Sequence, residues 1–199
     1  MIRKKKICVI GTGGHAVSCI DLIESTKKFK IIGVISKKNE KSVNNKFLKD
    51  YNIIGSDDDY KKILKLCNNL VLGIAFYKNL YLREKLINKF KKIGFNFPTV
   101  CSPRSYVSKN VKIGEGTQIF HGVTINKNSR VGNNCIINSH SLIEHDVTLG
   151  NNTQISTGVI INGGCNINKN SFIGSGSVLR ENLSIKEKSF IKMGSIIKK

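Results

Sequence analysis

The sequence has no hydrophobic run of membrane-spanning length, no Cys-x-x-Cys pair and few acidic residues. The first absence excludes a transmembrane helix. The apolar segment that follows Met-Ile-Arg-Lys-Lys-Lys is too short for a signal peptide. The six cysteines are therefore expected to be structural thiols of a cytoplasmic protein, with no bound metal and no membrane partner.

The shortage of acids leaves 13 Asp and Glu against 33 Lys and Arg, a net charge of +20. Such a charge raises the question of nucleic-acid binding. Arginine is rare, however, and the chain has none of the stacking-aromatic motifs of RNA-binding proteins. We expect no nucleic-acid partner, because the basic surface suits small polyanionic ligands equally well.

What the sequence has instead is a six-residue repeat that runs from Cys101 to Ile196 without an insertion. Every sixth residue from Val107 to Ile191 is aliphatic, and every sixth residue from Thr117 to Ser177 is small or of modest size. This period predicts a parallel β-helix. Side chains alternate along a strand, so the aliphatic residue and the small residue two before it point inward together. Three hexads form one triangular coil, and residues 18 apart stack.

The first hundred residues alternate between strand and helix patterns, with buried strands predicted at 7–10, 31–35 and 70–75. Ser56, ahead of Asp57–Asp59, is the predicted N-cap of the second helix, and Gly94 ends the third. Apolar residues at helical spacing mark the three helices: Val17, Ile20 and Ile23; Ile63, Leu64 and Cys67; Leu82, Leu86, Phe90 and Ile93. The predicted fold class is α/β plus all-β, with a Rossmann-like parallel α/β domain over 1–97 and the β-helix over 98–199.

A glycine-rich loop, Gly11-Thr12-Gly13-Gly14-His15-Ala16, follows the first strand at the sheet edge where such folds bind ligands. Glycines let the backbone approach a phosphate, and the next helix presents free N–H groups and its positive end. The loop is interpreted as a nucleotide-sugar site, a dinucleotide site or a structural turn. A dinucleotide site is disfavoured because Ser36 ends the second strand where an acid is expected.

Among the four histidines, His145 is the candidate general base because Glu144 and Asp146 flank it. A neighbouring carboxylate can hold an imidazole in one tautomer for proton transfer near neutral pH. Gly163 lies 18 residues further along, one coil away, and is expected to present its backbone N–H to an oxyanion. His121 and His140 share another corner, and two histidines without a third ligand are a poor metal site.

These motifs closely resemble the NeuD/PglD-type sugar acetyltransferases, bacterial enzymes that acetylate sialic-acid-like or nucleotide-linked amino sugars of surface glycans. The resemblance rests on the hexad repeat, the glycine-rich loop and the segment Asn138-Ser-His-Ser-Leu-Ile-Glu-His145-Asp146, and it covers essentially the whole chain. It implies a left-handed β-helix, a homotrimer, acetyl-CoA bound between neighbouring helices, and a sugar nucleotide bound by the N-terminal domain.

The resemblance also implies residue roles. His145 is expected to be the general base, Asp146 its orienting acid, and Gly163 the amide at the thioester carbonyl. Gly164 and Gly176 are also expected to bind the coenzyme. The residues expected to bind the sugar substrate are Gly11, Gly13, Gly14, His15 and Asn138.

Three features depart from the family pattern. Gln154 stands where a second histidine often follows the base, Ser36 stands where an acid often follows the second strand, and the usual Gly-x-Pro-Ala-Lys ending is absent. The expected function is N-acetylation of a nucleotide-linked, UDP-type amino sugar. The alternatives are O-acetylation of a sialic-acid-like sugar, favoured by the segment Ser156–Gly163, and a non-catalytic binding or assembly module.

Outward strand positions of the repeat predict self-association. Phe120, Ile136, Leu142, Ile160 and Val178 are apolar, and together they would form a larger exposed patch than a soluble monomer usually tolerates. Packing β-helices side by side around a threefold axis would bury this patch. The prediction is a homotrimer whose active sites are shared between subunits.

Overall fold

The computed structural model describes residues 4–37, 48–56, 58–75 and 80–199. The chain forms two compact units, Met1–Pro98 and Thr99–Lys199, and the sequence predicts their boundary between residues 97 and 98. Each unit is organised around a buried apolar cluster of its own.

The first unit contains a four-stranded sheet in the order β3-β2-β1-β4, in which all neighbouring strands are parallel. The strand β1 is central, and its residues Ile7–Ile10 are buried because helices cover a sheet of this kind on both faces. The elements are β1 Lys5–Ile10, α1 Gly14–Ser25, β2 Phe29–Ser36, β3 Ile53–Ser56, α2 Tyr60–Leu66, β4 Leu70–Leu72 and α3 Leu80–Ile93.

The start of the second helix differs from the prediction. Ser56 ends the unpredicted edge strand β3, and α2 begins at Tyr60 with Asp59 as its N-cap residue. The Asp59 carboxylate accepts hydrogen bonds from the Ser56 amide at 2.7 Å and from the Ser56 hydroxyl at 2.8 Å. The acid therefore receives hydrogen bonds from the serine, whereas the sequence predicted that the serine would cap the helix. Asp57 lies outside the described residues.

One further boundary and one buried position of the first unit also differ from the prediction. The strand β4 ends at Leu72 and not at residue 75, because Gly73 turns the chain against Ala16 of α1, so closely that a Cβ atom there would lie 2.8 Å from the Ala16 Cβ. Leu82 is 39% exposed and does not belong to the buried face of α3, which includes Ile87 and Phe90. The predicted end of α3 at Gly94 agrees with the structure, where Gly94 has a φ of +109°.

The second unit is a stack of two-residue strands that form parallel sheets of five, six and six strands. The first six-stranded sheet, face C, contains β5 Val100–Cys101, β8 Gln118–Ile119, β11 Ile136–Ile137, β14 Gln154–Ile155, β17 Phe172–Ile173 and β20 Phe190–Ile191. The second, face D, contains β6 Tyr106–Val107, β9 Thr124–Ile125, β12 Leu142–Ile143, β15 Ile160–Ile161, β18 Val178–Leu179 and β21 Ile196–Ile197. The five-stranded sheet, face E, contains β7 Lys112–Ile113, β10 Arg130–Val131, β13 Thr148–Leu149, β16 Asn166–Ile167 and β19 Ser184–Ile185.

The predicted parallel β-helix is confirmed in its inward pattern. The aliphatic residues Ile137 and Ile155 and the small residues Cys135 and Val159 are fully buried in one continuous core. Paired strands differ by 18 residues, as in the pairing of Ile137 with Ile155. The core aliphatics therefore form columns that run from coil to coil, and the corners between the faces hold the polar side chains.

The outward positions agree only in part with the predicted apolar patch. Phe120 and Ile136 are 3% and 1% exposed, so they are buried within the chain and cannot contribute to an exposed surface. Leu142, Ile160 and Val178 are half-buried and lie in one column of face D. Within the described part of the chain, no helix is both long enough and apolar enough to span a bilayer.

Candidate active site

The D–E corner, where the chain passes from face D to face E, holds His145. In its coil, Glu144, His145, Asp146 and Val147 connect β12 to β13, and the Val147 side chain is fully buried in the core. Asp146 has a φ of +60°, a conformation that Asn and Asp tolerate better than most residues. Its amide donates to the Lys127 carbonyl of the preceding coil at 3.1 Å. The turn is thus fixed by core packing and by a backbone hydrogen bond, and the imidazole lies on the outer surface of the β-helix.

The side chains of His145 and Asp146 form a hydrogen-bonded dyad. The distance from His145 Nδ1 to Asp146 Oδ2 is 2.8 Å, and the two side chains are 65% and 55% exposed. The hydrogen bond from His145, and then one from the Asn128 amide at 3.2 Å, hold the pKa of Asp146 below its usual range. An ionised carboxylate only accepts hydrogen bonds, so Nδ1 carries the proton. The lone pair of Nε2 is then available to accept another.

The His145 ring lies across Gly163 of the next coil. A Cβ atom at Gly163 would be 2.6 Å from His145 Cε1 and 2.8 Å from Nε2, closer than real contacts allow. Glycine is therefore the residue that lets the ring occupy this position. The Gly164 amide donates to the His145 carbonyl at 3.0 Å, which fixes the two coils relative to each other.

Among the described residues, the backbone N–H of Gly163 has no hydrogen-bond acceptor, whereas equivalent N–H groups at another corner do. Where face E meets face C, the Asn133 and Asn151 side chains accept hydrogen bonds from the amides of the preceding coil, at 3.0 and 2.8 Å. Glu181 occupies the corresponding position above Gly163, and within the described residues the Gly163 N–H donates to no protein acceptor. This N–H group is available to a ligand beside the imidazole.

A cavity of about 460 Å³ surrounds these groups. Its polar wall includes Asn162, whose side-chain amide donates to the Leu179 carbonyl at 2.7 Å. It also includes Glu144, whose carboxylate accepts a hydrogen bond from the Asn126 side-chain amide at 2.9 Å. The residues that line it are Glu144, His145, Asp146, Asn162, Gly163, Gly164, Glu181 and Asn182. The cavity combines a proton acceptor, an available N–H donor and carboxylates that favour an amine over an anion.

Asn138 and Gly176 lie elsewhere on the β-helix. Both belong to the C–D corner, between faces C and D, where their amides donate to Ile155 and Thr157 carbonyls at 2.9 Å. Gly164, in contrast, lies at the D–E corner with a φ of +71°. Within one chain the structure therefore brings His145, Asp146, Gly163 and Gly164 together, and it places Asn138 and Gly176 at a different corner.

The other two β-helix histidines make structural contacts at the C–D corner. His121 Nδ1 lies 2.6 Å from the hydroxyl of Ser102, and the His140 ring lies against Gly122, where a Cβ atom would be 2.6 Å from His140 Nδ1. Across the described ranges, no group of three or more His, Cys, Asp or Glu side chains is arranged to hold a metal ion.

The predicted glycine-rich loop connects β1 to α1. Gly11 has a φ of +109°, and a Cβ atom there would lie 2.9 Å from the Gly73 carbonyl oxygen, so the fold requires glycine at this position. Gly13 is the N-cap residue of α1 and has no side-chain cap, and the space beside Gly13 and Gly14 is open. Their backbone is therefore accessible to a ligand at the positive end of α1. His15 is half-buried in the first turn of the helix.

Sequence reasoning missed Asn126 and Asn128, which hold the two carboxylates that flank the candidate base. Each lies 18 residues before its partner, Glu144 or Asp146. The 18-residue spacing that placed Gly163 beside His145 could have found both.

Two family models match the chain. One, described as the PglD N-terminal domain, matches residues 6–90, and the other, described as the GMPPB C-terminal domain, matches residues 101–199. The first match gives the first unit a PglD-type N-terminal domain, in agreement with the predicted resemblance to PglD/NeuD-type proteins, and the second match covers the β-helix.

Solved structures share this fold over nearly the whole chain. The acetyltransferase domain of PglB from Neisseria gonorrhoeae FA1090 is 22% identical, with a TM-score of 0.85 over 98% of this chain and 92% of its own. WeeI from Acinetobacter baumannii AYE is 22% identical, with a TM-score of 0.83 over the same shares. PerB from Caulobacter crescentus, solved with CoA and GDP-perosamine, is 22% identical, with a TM-score of 0.66 over 96% of this chain and 92% of its own. A comparison with curated protein sequences found no match.

Proposed function

We propose that the chain transfers the acetyl group of acetyl-CoA to the amino group of a nucleotide-linked sugar, of UDP type, for a bacterial surface glycan. The observation that carries the proposal is the His145–Asp146 dyad lying against Gly163 in an open cavity. Neighbours of the same fold support it, because the PglB domain was also solved with acetyl coenzyme A and PerB with CoA and GDP-perosamine.

The chemistry is a direct acyl transfer. The nitrogen lone pair of the sugar amine attacks the thioester carbonyl carbon, and His145 Nε2 removes the proton that the nitrogen loses. The Gly163 N–H donates to the oxyanion that develops on the carbonyl oxygen. The carbon–sulfur bond then breaks, the sulfur leaves as a thiolate, and the imidazolium returns the proton to it. The products are the N-acetylated sugar and CoA, with no covalent enzyme intermediate.

In this proposal the first unit binds the nucleotide phosphates, and the second unit binds the acetyl thioester. The accessible backbone at Gly13 and Gly14, with the neighbouring His15, binds the phosphates of the nucleotide, while Gly11 holds the loop in shape. Gly163 and Gly164 line the cavity that receives the acetyl thioester.

Asn138 and Gly176 contribute to the same cavity only if a second copy of the chain brings its C–D corner to it. Their place at a different corner from His145 is therefore an argument for shared active sites in a homotrimer. The face D column supplies the apolar contact surface: Tyr106 and Ile196 at its two ends are 61% and 68% exposed, and Leu142, Ile160 and Val178 between them are half-buried.

Ile160→Asp is expected to dissociate the trimer, because it places a charge in the middle of the face D column. Sedimentation equilibrium should give three times 22.1 kDa for the wild type and the monomer mass for the variant. Thr148→Asp, at an exposed outward position of face E, is the matched control and should remain trimeric. A wild-type chain that is a stable and active monomer would contradict the proposal.

Asp146→Asn is expected to lower kcat by up to about 10⁴-fold, the loss found when the acid that orients a general-base histidine is replaced by its amide. The amide can donate to Nδ1 as well as accept from it, so the tautomer with a free Nε2 lone pair is no longer enforced. The folded pKa of Asp146 is lowered, so its pairing with His145 is present above the ordinary carboxyl pKa and is lost only as the pH falls through the lowered value. Steady-state rates between pH 6 and pH 9 should therefore show no titration of Asp146.

The substrate is best identified with a panel of UDP- and GDP-linked amino sugars and of sialic acids, each incubated with acetyl-CoA and analysed by mass shift. Acetylation of an amino sugar nucleotide supports the proposal, whereas O-acetylation of a sialic acid alone supports the runner-up. Calorimetry with acetyl-CoA tests the alternative of a non-catalytic binding or assembly module. Binding at micromolar ligand supports an enzyme, and no binding up to millimolar ligand supports a non-catalytic module.

A further inference from the structure

A second cavity, of about 650 Å³, lies at the amino edge of the parallel sheet in the first unit. We call it the lysine cavity, and its walls include Lys4, Lys5, Lys6, Lys65, Leu66 and Cys67. Lys5 begins β1, whereas the glycine-rich loop follows Ile10 at the other end of the strand. A strand of this length spans roughly 17 Å, so the lysine cavity is separate from the loop.

The lysine cavity concentrates positive charge. None of its four lysines forms an ion pair with a carboxylate of the described residues. Lys6 Nζ makes only a long contact of 3.4 Å to the Leu66 carbonyl oxygen. Like charges held on one concave surface repel each other, and a bound polyanion relieves this repulsion.

The Cys67 thiol offers a probe for occupancy of the lysine cavity. It is 5% exposed and is part of the cavity wall. A hydrogen bond from the Cys8 thiol is the main cause that lowers the pKa of Cys67 to about 7, and the Lys6 ammonium acts in the same direction. A lowered thiol pKa favours alkylation, so modification of Cys67 can report whether the cavity is occupied.

We propose that the lysine cavity binds a small phosphate-bearing ligand of nucleotide size. The lysine ammonium groups pair with the phosphates as flexible point charges. Leu66, a large apolar side chain that is 41% exposed at the same wall, provides a surface for the uncharged part of the ligand. The volume suits such a molecule, because small-ligand sites measure about 300–1,000 Å³. This site is additional to the substrate and coenzyme sites of the proposed acetyltransferase.

The test is calorimetry of the full chain with inorganic tripolyphosphate, in low salt and with saturating acetyl-CoA present. The lining variant Lys4→Glu/Lys65→Glu is compared with Lys186→Glu/Lys192→Glu, which makes the same charge change on exposed residues of the β-helix. We expect the wild type and the control to bind alike and the lining variant to bind at least tenfold more weakly. A parallel titration with anionic phosphatidylglycerol vesicles distinguishes a lipid headgroup from a free phosphate as the source of the ligand.

Alkylation of Cys67 by iodoacetamide locates the site in the unmutated protein. Tripolyphosphate, or the vesicles, should slow modification of Cys67 measured by peptide mass mapping. Equal binding by all three proteins, no binding of either probe, or binding without protection of Cys67 would each overturn the proposal. Acetyl transfer by the lining variant should equal that of the wild type, so this outcome is independent of whether the proposed function is correct.

Discussion

Replacing His145 with asparagine is expected to lower kcat for acetyl transfer by ~10²–10⁴, the usual contribution of a general base. Asparagine keeps a polar side chain at the corner but has no group that accepts the proton of the attacking amine. Its contact with the cavity is otherwise conserved, so the affinity for acetyl-CoA should change little. Steady-state kinetics on the substrate found by the panel, with calorimetry of acetyl-CoA binding, measures both quantities.

His140→Asn is the matched control for this experiment. His140 lies at the C–D corner with a φ of +58°, and Asn occupies this backbone conformation at five positions of the β-helix. The control should therefore keep the fold and the rate. A His145→Asn enzyme with wild-type kcat/KM would show that another group accepts the proton.

Gly163→Ala is expected to lower kcat by about 10²-fold, the cost of displacing a catalytic group by roughly 1 Å, although the backbone N–H is retained. The added methyl group would lie 2.6 Å from His145 Cε1, so the ring must move away from the N–H group beside which it now lies. The φ of Gly163 lies outside the left-handed region, so alanine fits the backbone and the protein should fold. Kinetics should therefore show a large fall in rate with little change in the melting temperature.

The double variant His145→Asn/Gly163→Ala tests whether the two residues act as one unit. If Gly163 acts by positioning the ring and the donor, then adding Gly163→Ala to His145→Asn should cost less than it does in the wild type. Fully additive losses would mean that Gly163 acts independently of the imidazole, and the joint action of His145 and Gly163 proposed here would be wrong.

The repeat was predictable because its period is enforced by packing. An inward residue such as Ile137 or Ile155 contacts its equivalents in neighbouring coils, so an insertion would shift every later side chain out of the core. The same 18-residue arithmetic brings His145 to Gly163. Helix and strand boundaries in the first unit were less predictable. The start of α2 depends on the hydrogen bonds that the Asp59 carboxylate accepts from Ser56. The local sequence alone does not decide whether the serine or the acid accepts hydrogen bonds there.

Outward positions show the same limit. Alternation along a strand predicts that Ile136 and Ile160 both point away from the core, but Ile136 is 1% exposed and Ile160 is half-buried. The difference depends on what else in the chain covers each face. Periodicity predicts the direction of a side chain, but it does not predict which other residues bury that side chain.

Spacing along the chain was enough to predict the coiled repeat, three of the four parallel strands before it, and the position of His145 beside Asp146 and Gly163. Only the folded chain shows that Phe120 and Ile136 are covered at outward positions of the β-helix. It also shows that Lys4, Lys5, Lys6 and Lys65 line one cavity of the first unit. These features depend on which side chains from distant segments meet, and that is fixed by the packing of whole elements.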